Sequence, residues 1–338
     1  FRESETGELF ILDPTFNYHR RQAAALLDLF IETAPDIHYS MEIRAEYIDD
    51  ELADCFAQLD CTLQIGLQSI HPEVLRRINR TYDAEEFRDN VYRLHSRGVV
   101  YGFDLIYGLP GDSLAGFLES LDAALLLVPN HVDIFPLALL PGTELSDRAA
   151  KYGLCCDRDN DWIVTGTPEF PPEDLVVAER IAAVADRFYN RGKAVSWFDI
   201  LLESLHLPPS EFFRLALPAA DTAGDPLEFQ LRVIETVCGS RKSEEIIPVA
   251  RSLARYFWIV NNLDTGDHCV TNELSVGEIV LINPTAVAER FDIDPLQLIS
   301  LCEEGVMHMQ DMSAMADREP VNLVCFTYAG EFSCLYLS

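Results

Sequence analysis

The sequence predicts an α/β fold: a partial (β/α) barrel over residues 1–150, a connector over 151–172, and a mainly helical domain over 173–338 ending in a β-hairpin. Three observations carry this. Short apolar runs alternate five times with helical stretches between residue 9 and about 145. Strands alternating with helices of that length form right-handed βαβ units on a parallel sheet. The pattern changes after Trp162–Asp174, which holds Thr165-Gly166-Thr167-Pro168 and Pro171-Pro172. Near the end, Val321–Tyr328 and Glu331–Leu337 alternate on either side of Ala329-Gly330, a hairpin pattern.

In order, the strand-like runs are Leu9–Asp13, His38–Arg44, Thr62–Ser69, Val99–Tyr107 and Val132–Leu139. The helical stretches between them are Tyr18–Thr33, Asp49–Leu59, Ala84–Ser96 and Ser113–Leu127. Asp49, Asp83 and either Asp112 or Ser113 are N-cap residue types, able to accept from a free backbone N–H of the first turn. In the second half, Leu175, Ala178, Ile181, Ala182, Ala185 and Phe188 recur with the period of one helix face. Further helices are expected around Ser210–Leu215, Leu227–Val237 and Glu244–Val260.

Composition narrows the function. Of 338 residues, 49% are apolar and 24% charged, the balance of a globular protein. The 25 Lys and Arg against 56 Asp and Glu give a net charge of −31, which argues against nucleic acid or an anionic membrane as partner. A small anionic ligand held by one Arg and local dipoles stays open. No apolar run reaches the roughly 18 residues of a membrane span. Nine irregularly spaced cysteines suit reduced thiols in a cytoplasm-like compartment. The chain opens Phe1-Arg2-Glu3 without an initiator Met and is read as a piece of a longer protein.

Alternate residues of a strand point to opposite faces. Ser40, Glu42 and Arg44 alternate with Met41 and Ile43; Gln64, Gly66 and Gln68 with Leu63, Ile65 and Leu67; Gly102, Asp104, Ile106 and Gly108 with Phe103, Leu105 and Tyr107. A parallel sheet covered on both faces reads as continuous Val, Ile and Leu. Here one face is apolar and the other polar or small. Burying Glu42, Gln64, Gln68 and Asp104 unpartnered would cost several kcal/mol each, roughly, so the inner surface is read as lined for a polar ligand. The alternative is a filled barrel in which these groups satisfy one another, Glu42 or Asp104 with Arg44. Two loops at strand ends add to the ligand reading, Asp13-Pro14-Thr15-Phe16-Asn17 and Tyr107-Gly108-Leu109-Pro110-Gly111-Asp112.

Six segments in order resemble the radical S-adenosylmethionine (SAM) superfamily. They are Leu12-Asp13-Pro14-Thr15-Phe16, Met41-Glu42-Ile43-Arg44, Ile65-Gly66-Leu67-Gln68-Ser69, Ile78-Asn79-Arg80, Gly102-Phe103-Asp104-Leu105-Ile106-Tyr107-Gly108-Leu109-Pro110-Gly111 and Leu140-Pro141-Gly142-Thr143. The resemblance is to the branch associated with cobalamin-binding domains, including anaerobic magnesium-protoporphyrin monomethyl ester cyclase-like proteins. The glutamine and glycine segments also resemble oxygen-independent coproporphyrinogen oxidase. It covers residues 9 to about 150 and implies a partial TIM-like barrel of the radical SAM type. It further implies SAM and a [4Fe-4S] cluster as cofactors, cobalamin through a further domain, an electron donor, and a small-molecule substrate such as a tetrapyrrole.

By that resemblance Glu42 and Gln68, with Ser69 beside it, meet the SAM ribose, and Arg80 pairs with the SAM carboxylate. Asp104 adds a lumen-facing acceptor, while Leu137 and Ala138 meet adenine through backbone and apolar surface. Asp13, Pro14 and Thr15 stand where the family holds the methionine amino group with a Gly-Gly-Glu-like turn, which this sequence lacks. A larger departure is the absence of the Cys-x-x-x-Cys-x-x-Cys loop that ligates the cluster. No such spacing occurs among Cys55, Cys61, Cys155, Cys156, Cys238, Cys269, Cys302, Cys325 and Cys334. His268-Cys269, and Cys302 with His308, are isolated pairs and name no metal site.

Two readings follow. In the first, the chain is the C-terminal portion of a radical SAM enzyme and residues 151–338 cover the barrel mouth. In the second, it is a catalytically silent SAM- or nucleoside-binding or scaffold protein of the same fold. A cluster loop encoded upstream separates them.

Overall fold

Right-handed crossovers decide the architecture. The first five strands are β1 (Glu8–Ile11), β2 (His38–Ile43), β3 (Cys61–Gln68), β4 (Val100–Tyr107) and β5 (His131–Pro136). They pair in parallel and in chain order, β1-β2-β3-β4-β5. A sheet wound always in one direction by right-handed crossovers carries its helices on one face. Those helices are α1 (Arg20–Thr33), α2 (Asp50–Phe56), α3 (Pro72–Arg77), α4 (Ala84–His95) and α5 (Leu114–Leu125). Met41, Ile43, Leu63, Ile65, Leu67, Phe103 and Leu105 are buried, and their alternates Glu42, Gln64, Gly66, Gln68 and Asp104 are half-buried or exposed. The two-faced reading of the strands therefore holds.

The expected strands and helices of this half are present, with ends shifted by up to three residues. Asp49 caps α2 by accepting from Leu52 N–H at 3.0 Å, and Asp83 caps α4 through the N–H groups of Glu85 and Glu86. Of the two candidates before α5, Ser113 is the cap, accepting from Gly116 N–H at 3.2 Å.

The computed structural model describes residues 6–247, 250, 251, 253 and 254, and the backbone of three later strands. By their contacts they form two units, Phe1–Asn190 with Pro208–Leu217, and Arg191–Leu207 with Pro218–Ser338. The first unit continues beyond β5 with the single turns α6 (Glu144–Asp147) and α7 (Ala149–Tyr152). The antiparallel pair β6 (Cys155–Asp157) and β7 (Ile163–Gly166) follows, inside the segment expected to be a connector. Then comes α8 (Pro172–Ala185), whose last turn widens into a π turn over Asp186–Asn190. The sequence period carried one α-helix through Phe188; the π turn instead inserts a residue and delivers Asn190 to the sheet edge. There its amide accepts from Val132 N–H and donates to Val132 C=O, both at 2.9 Å, as a neighbouring strand's peptide would.

The second unit contains α9 (Phe198–Leu205), which the sequence reading missed; α10 (Pro209–Ala216) belongs to the first unit and α11 (Pro226–Arg241) to the second. Beyond α11, Glu244–Ile246 is a 3-10 turn, and most of the helix expected through Val260 lies outside the described residues. The expected terminal hairpin is present as β9 (Asn322–Tyr328) and β10 (Glu331–Leu337), antiparallel, with β8 (Val280–Leu281) parallel to β9. Its turn, Ala329-Gly330, lies outside the described residues.

One buried amide fastens the loop after β1 to the sheet. Asn17 is fully buried, donates through Nδ2 to Arg44 C=O at 2.9 Å and accepts at Oδ1 from Arg44 N–H at 3.0 Å. Phe16 N–H donates to Glu42 C=O at 2.9 Å. Replacing Asn17 by Ala strands two backbone groups of Arg44 and should cost about 2–4 kcal/mol, read by denaturant unfolding. A loss under about 1 kcal/mol would show that water or a shifted loop replaces both bonds.

Candidate functional site

The carboxyl end of β3 is shaped by three backbone facts. A register shift falls between Gly66 and Gln68 where β3 pairs with β4. Gln68 has a φ of 66°, the left-handed region, where a non-glycine residue is strained. Asn79, also left-handed at 58°, ends α3. Arg80 N–H donates to Leu75 C=O at 2.9 Å and Asn79 N–H to Arg76 C=O at 3.3 Å, the paired bonds of a Schellman C-cap. Asn tolerates that conformation because its short polar side chain bonds locally. The cap turns Arg80 back toward β3, where Nη1 donates to Gly66 C=O at 2.9 Å.

Gly66 is where these side chains meet. A Cβ there would stand 3.0 Å from the Gln68 amide nitrogen and 3.1 Å from Arg80 Nη1. The missing side chain lets the amide and the guanidinium close in over the strand. Burial, and next the nearby Arg44 charge, hold Arg80 below the usual guanidinium range, with Glu46, Asp104 and Glu42 acting the other way. Arg44 itself pairs with Glu46, and its Nε is buried without a partner. Two cations close enough to oppose each other suit an anionic group between them.

The other expected residues are placed as follows. Glu42 is exposed on the same sheet face, and its carboxylate has no partner among the described residues. Asp104 is half-buried on that face, bonded to Gln64 Nε2. Burial, opposed by that bond and reinforced by Asp133 and Glu42, pushes its carboxyl up to about 6. The pairing of Glu42 or Asp104 with Arg44, which the filled-barrel alternative required, is absent among the described residues, because Arg44 is taken by Glu46 and Asp104 by Gln64. Asp13 and Thr15 sit in an exposed turn, with Asp13 Oδ1 accepting from Thr15 N–H at 3.0 Å and Pro14 between them.

Ser69 is not brought to this group. It is fully buried, with its hydroxyl 3.4 Å from that of Ser120 on α5 and accepting from His71 N–H. Leu137 has its backbone engaged: its N–H donates to Tyr107 C=O at 3.0 Å and its C=O accepts from Val164 N–H at 2.8 Å. Ala138 faces Ile163 as the unbonded member of that ladder, so its own N–H and C=O are without partners among the described residues. Of the two, Ala138 therefore has the backbone groups open to a ligand.

Sequence reasoning missed Asn190, His131 and Asp133, named Asn17 only as the end of a loop, and noted Gln64 only as a lumen-facing residue. The signal for His131 and Asp133 was the alternation already read in β2 to β4, which runs on through β5.

Iron–sulfur ligands are a different matter. Cys55, Cys61 and Cys238 are buried and Cys155 and Cys156 adjacent on β6. Among the described residues no three His, Cys, Asp or Glu side chains are placed to hold a metal ion. With no Cys-x-x-x-Cys-x-x-Cys spacing in the sequence, these residues do not fit a [4Fe-4S] cluster. No helix of the described residues is long and apolar enough to cross a membrane.

Comparison with known proteins adds a family match to the first part of the chain. Residues 1–124 match the radical SAM superfamily. An uncharacterized protein of Methanocaldococcus jannaschii, MJ0486, is 30% identical over 128 residues, 37% of this chain and 38% of that protein. Heme chaperone HemW of Mycobacterium tuberculosis is 28% identical over 182 residues, 52% of this chain and 42% of that protein. The radical SAM methyltransferase TsrM of Kitasatospora setae, solved with cobalamin and a [4Fe-4S] cluster, aligns at a TM-score of 0.41 with 18% identity, covering 70% of this chain and 52% of that one. The chain spans about two-fifths of the first two proteins.

The glycine loop after β4 adds a measurable group. Asp112 is buried, accepts at Oδ1 from Ser113 N–H at 2.8 Å, and has no partner at Oδ2 among the described residues. Burial pushes its carboxyl up to about 6. The folded state thus holds the proton more tightly than the unfolded chain, whose value is near 4. Asp112 consequently costs stability above about pH 6 and ceases to as pH falls toward 4. Relative to Asp112→Asn, the parent should gain on the order of 2 kcal/mol between pH 8 and pH 4 in paired denaturant titrations. A constant difference across that range would show that Asp112 titrates normally.

Proposed function

The chain carries a radical SAM domain over residues 1–124, and on that premise we propose that the polar face of its sheet holds S-adenosylmethionine. The observation that carries the proposal is the convergence of the Gln68 amide and the Arg80 guanidinium over Gly66, at the carboxyl end of a parallel strand. Ligands of α/β folds bind at such ends. In this reading Arg80, with Arg44 near it, takes the methionine carboxylate. Glu42 and Gln68 take the ribose hydroxyls, whose donors and acceptors suit a carboxylate and an amide. Ala138 offers its unpaired peptide groups to adenine, and Asp104 presents a further acceptor. Asp13, Pro14 and Thr15 lie at the end of β1 beside Glu42, tied there through Phe16.

The superfamily's chemistry is reductive cleavage of SAM to methionine and a 5′-deoxyadenosyl radical, or methyl transfer through cobalamin. It needs a cluster that these residues do not fit. The proposal assigns SAM binding to this chain and cluster ligation to residues outside these 338, with an electron donor acting there. Relatives named heme chaperone and oxygen-independent coproporphyrinogen III oxidase support a tetrapyrrole-class substrate and nothing finer.

Two measurements test this. Calorimetric titration of SAM should show Arg80→Ala binding 10- to 150-fold more weakly, about 1.5–3 kcal/mol, and Gln68→Leu losing about 0.5–1.5 kcal/mol. A folded Arg80→Ala protein binding within about twofold of the parent removes the assignment. Anaerobic reconstitution of this chain with iron and sulfide should yield no stoichiometric [4Fe-4S] absorption. One cluster per chain would mean that its own cysteines suffice.

A further inference from the structure

Gln64 stands at the middle of the polar face, in a cluster that the SAM assignment uses only through Asp104. In the sheet register Glu42, Gln64, Gly102 and His131 form one row, and Gly66, Asp104 and Asp133 the next. Gly102 is the gap in the first row. A Cβ there would lie 2.1 Å from His131 Nε2, so only glycine lets the imidazole lean across β4. His131 Nε2 reaches Gln64 Oε1 at 2.5 Å. From its other end Gln64 Nε2 donates to Asp104 Oδ1 and, at 3.1 Å, to Asp133 Oδ2. Asp133 Oδ1 is in turn 3.4 Å from Asn190 Nδ2 of the π turn.

This pattern has one solution for the amide. Its two hydrogens go to two carboxylates and its oxygen takes the imidazole N–H. Flipping it would set its oxygen against both carboxylates, so the carboxylates fix the amide and the imidazole Nε2 is left to donate. Asp104 is therefore gripped by one oxygen, while Oδ2 has no partner among the described residues.

We infer that Gln64 is a positioning residue: its amide holds Asp104, Asp133 and His131 as one hydrogen-bonded unit and leaves Asp104 Oδ2 presented to a ligand on the polar face. The ligand's identity rests on the SAM reading; the grip of Gln64 on Asp104 does not. The charged groups around Asp104 are Asp133 on β5, Glu42 on β2 and Arg80 after α3. His131 on β5 joins through Gln64 and is held below the usual histidine range by burial, against the pull of Asp133. Asp186 reaches the cluster through Asn190.

The test is the titration of the Asp104 carboxyl carbon by 13C NMR in the ligand-free chain, assigned with Asp104→Asn. The parent midpoint is expected at about 6. Gln64→Met keeps the length and removes the donors that favour the carboxylate, so the midpoint should rise by about one pH unit. Asp133→Asn removes a like charge and should lower it. A folded Gln64→Met chain with an unmoved midpoint overturns the inference, whatever its stability. Should that variant not fold, Gln64→Leu, which also lacks the donors, is read in the same way. A chain that fails to bind SAM, with both midpoints moving as stated, overturns the SAM reading and leaves this one standing.

Discussion

A single constraint organises the first unit: strands laid down in chain order by right-handed crossovers place every crossover helix on the same face of the sheet. The opposite face is relieved of packing against helices and can carry Glu42, Gln64, Gln68 and Asp104 at a smaller desolvation cost than a doubly covered sheet would impose, one that Asp104 still bears. Everything proposed about ligands depends on that asymmetry. A one-residue slip of β3 would turn Gln64, Gly66 and Gln68 into the helices and bring Leu63, Ile65 and Leu67 out to the polar face.

Within that frame, strain and small residues do the shaping. Gln68 and Asn79 both occupy left-handed backbone that an ordinary L-residue avoids. One bends the end of β3 and the other returns the chain so that Arg80 meets Gly66. The two glycines on the polar face differ in what they permit. Gly66 opens space for side chains from its own strand end and from the turn after α3, whereas Gly102 lets a ring from β5 cross to β3. Strain held at a strand end beside a charged group is a mark of functional sites, because packing alone gives no reason to keep it.

Much of the first unit was legible because it depends on local rules. Period-two alternation fixed the strands and their faces, and Asp49, Asp83 and Ser113 announced their helices by residue type. The illegible parts depend on geometry that no short window contains. Strands β6 and β7 are three and four residues long, too short for a period to appear. The π turn after α8 follows an unbroken helical pattern, and only its bond to Val132 shows why the helix widens. Ser69, adjacent to Gln68, was grouped with it, yet the turn after β3 sends its hydroxyl to Ser120 instead. The Gln64 cluster draws on three strands and a turn, so its contacts exist only once register is set.

In the proposed assignment the polar face between β2 and β5 is the surface that holds S-adenosylmethionine. A crystal structure of this chain grown with S-adenosylmethionine tests it most directly. The expected density places the methionine carboxylate against Arg80, the ribose between Glu42 and Gln68, and the base beside the peptide of Ala138. A ligand ordered on the helix-covered side, or elsewhere with Arg80 still bonded only to Gly66, would contradict it.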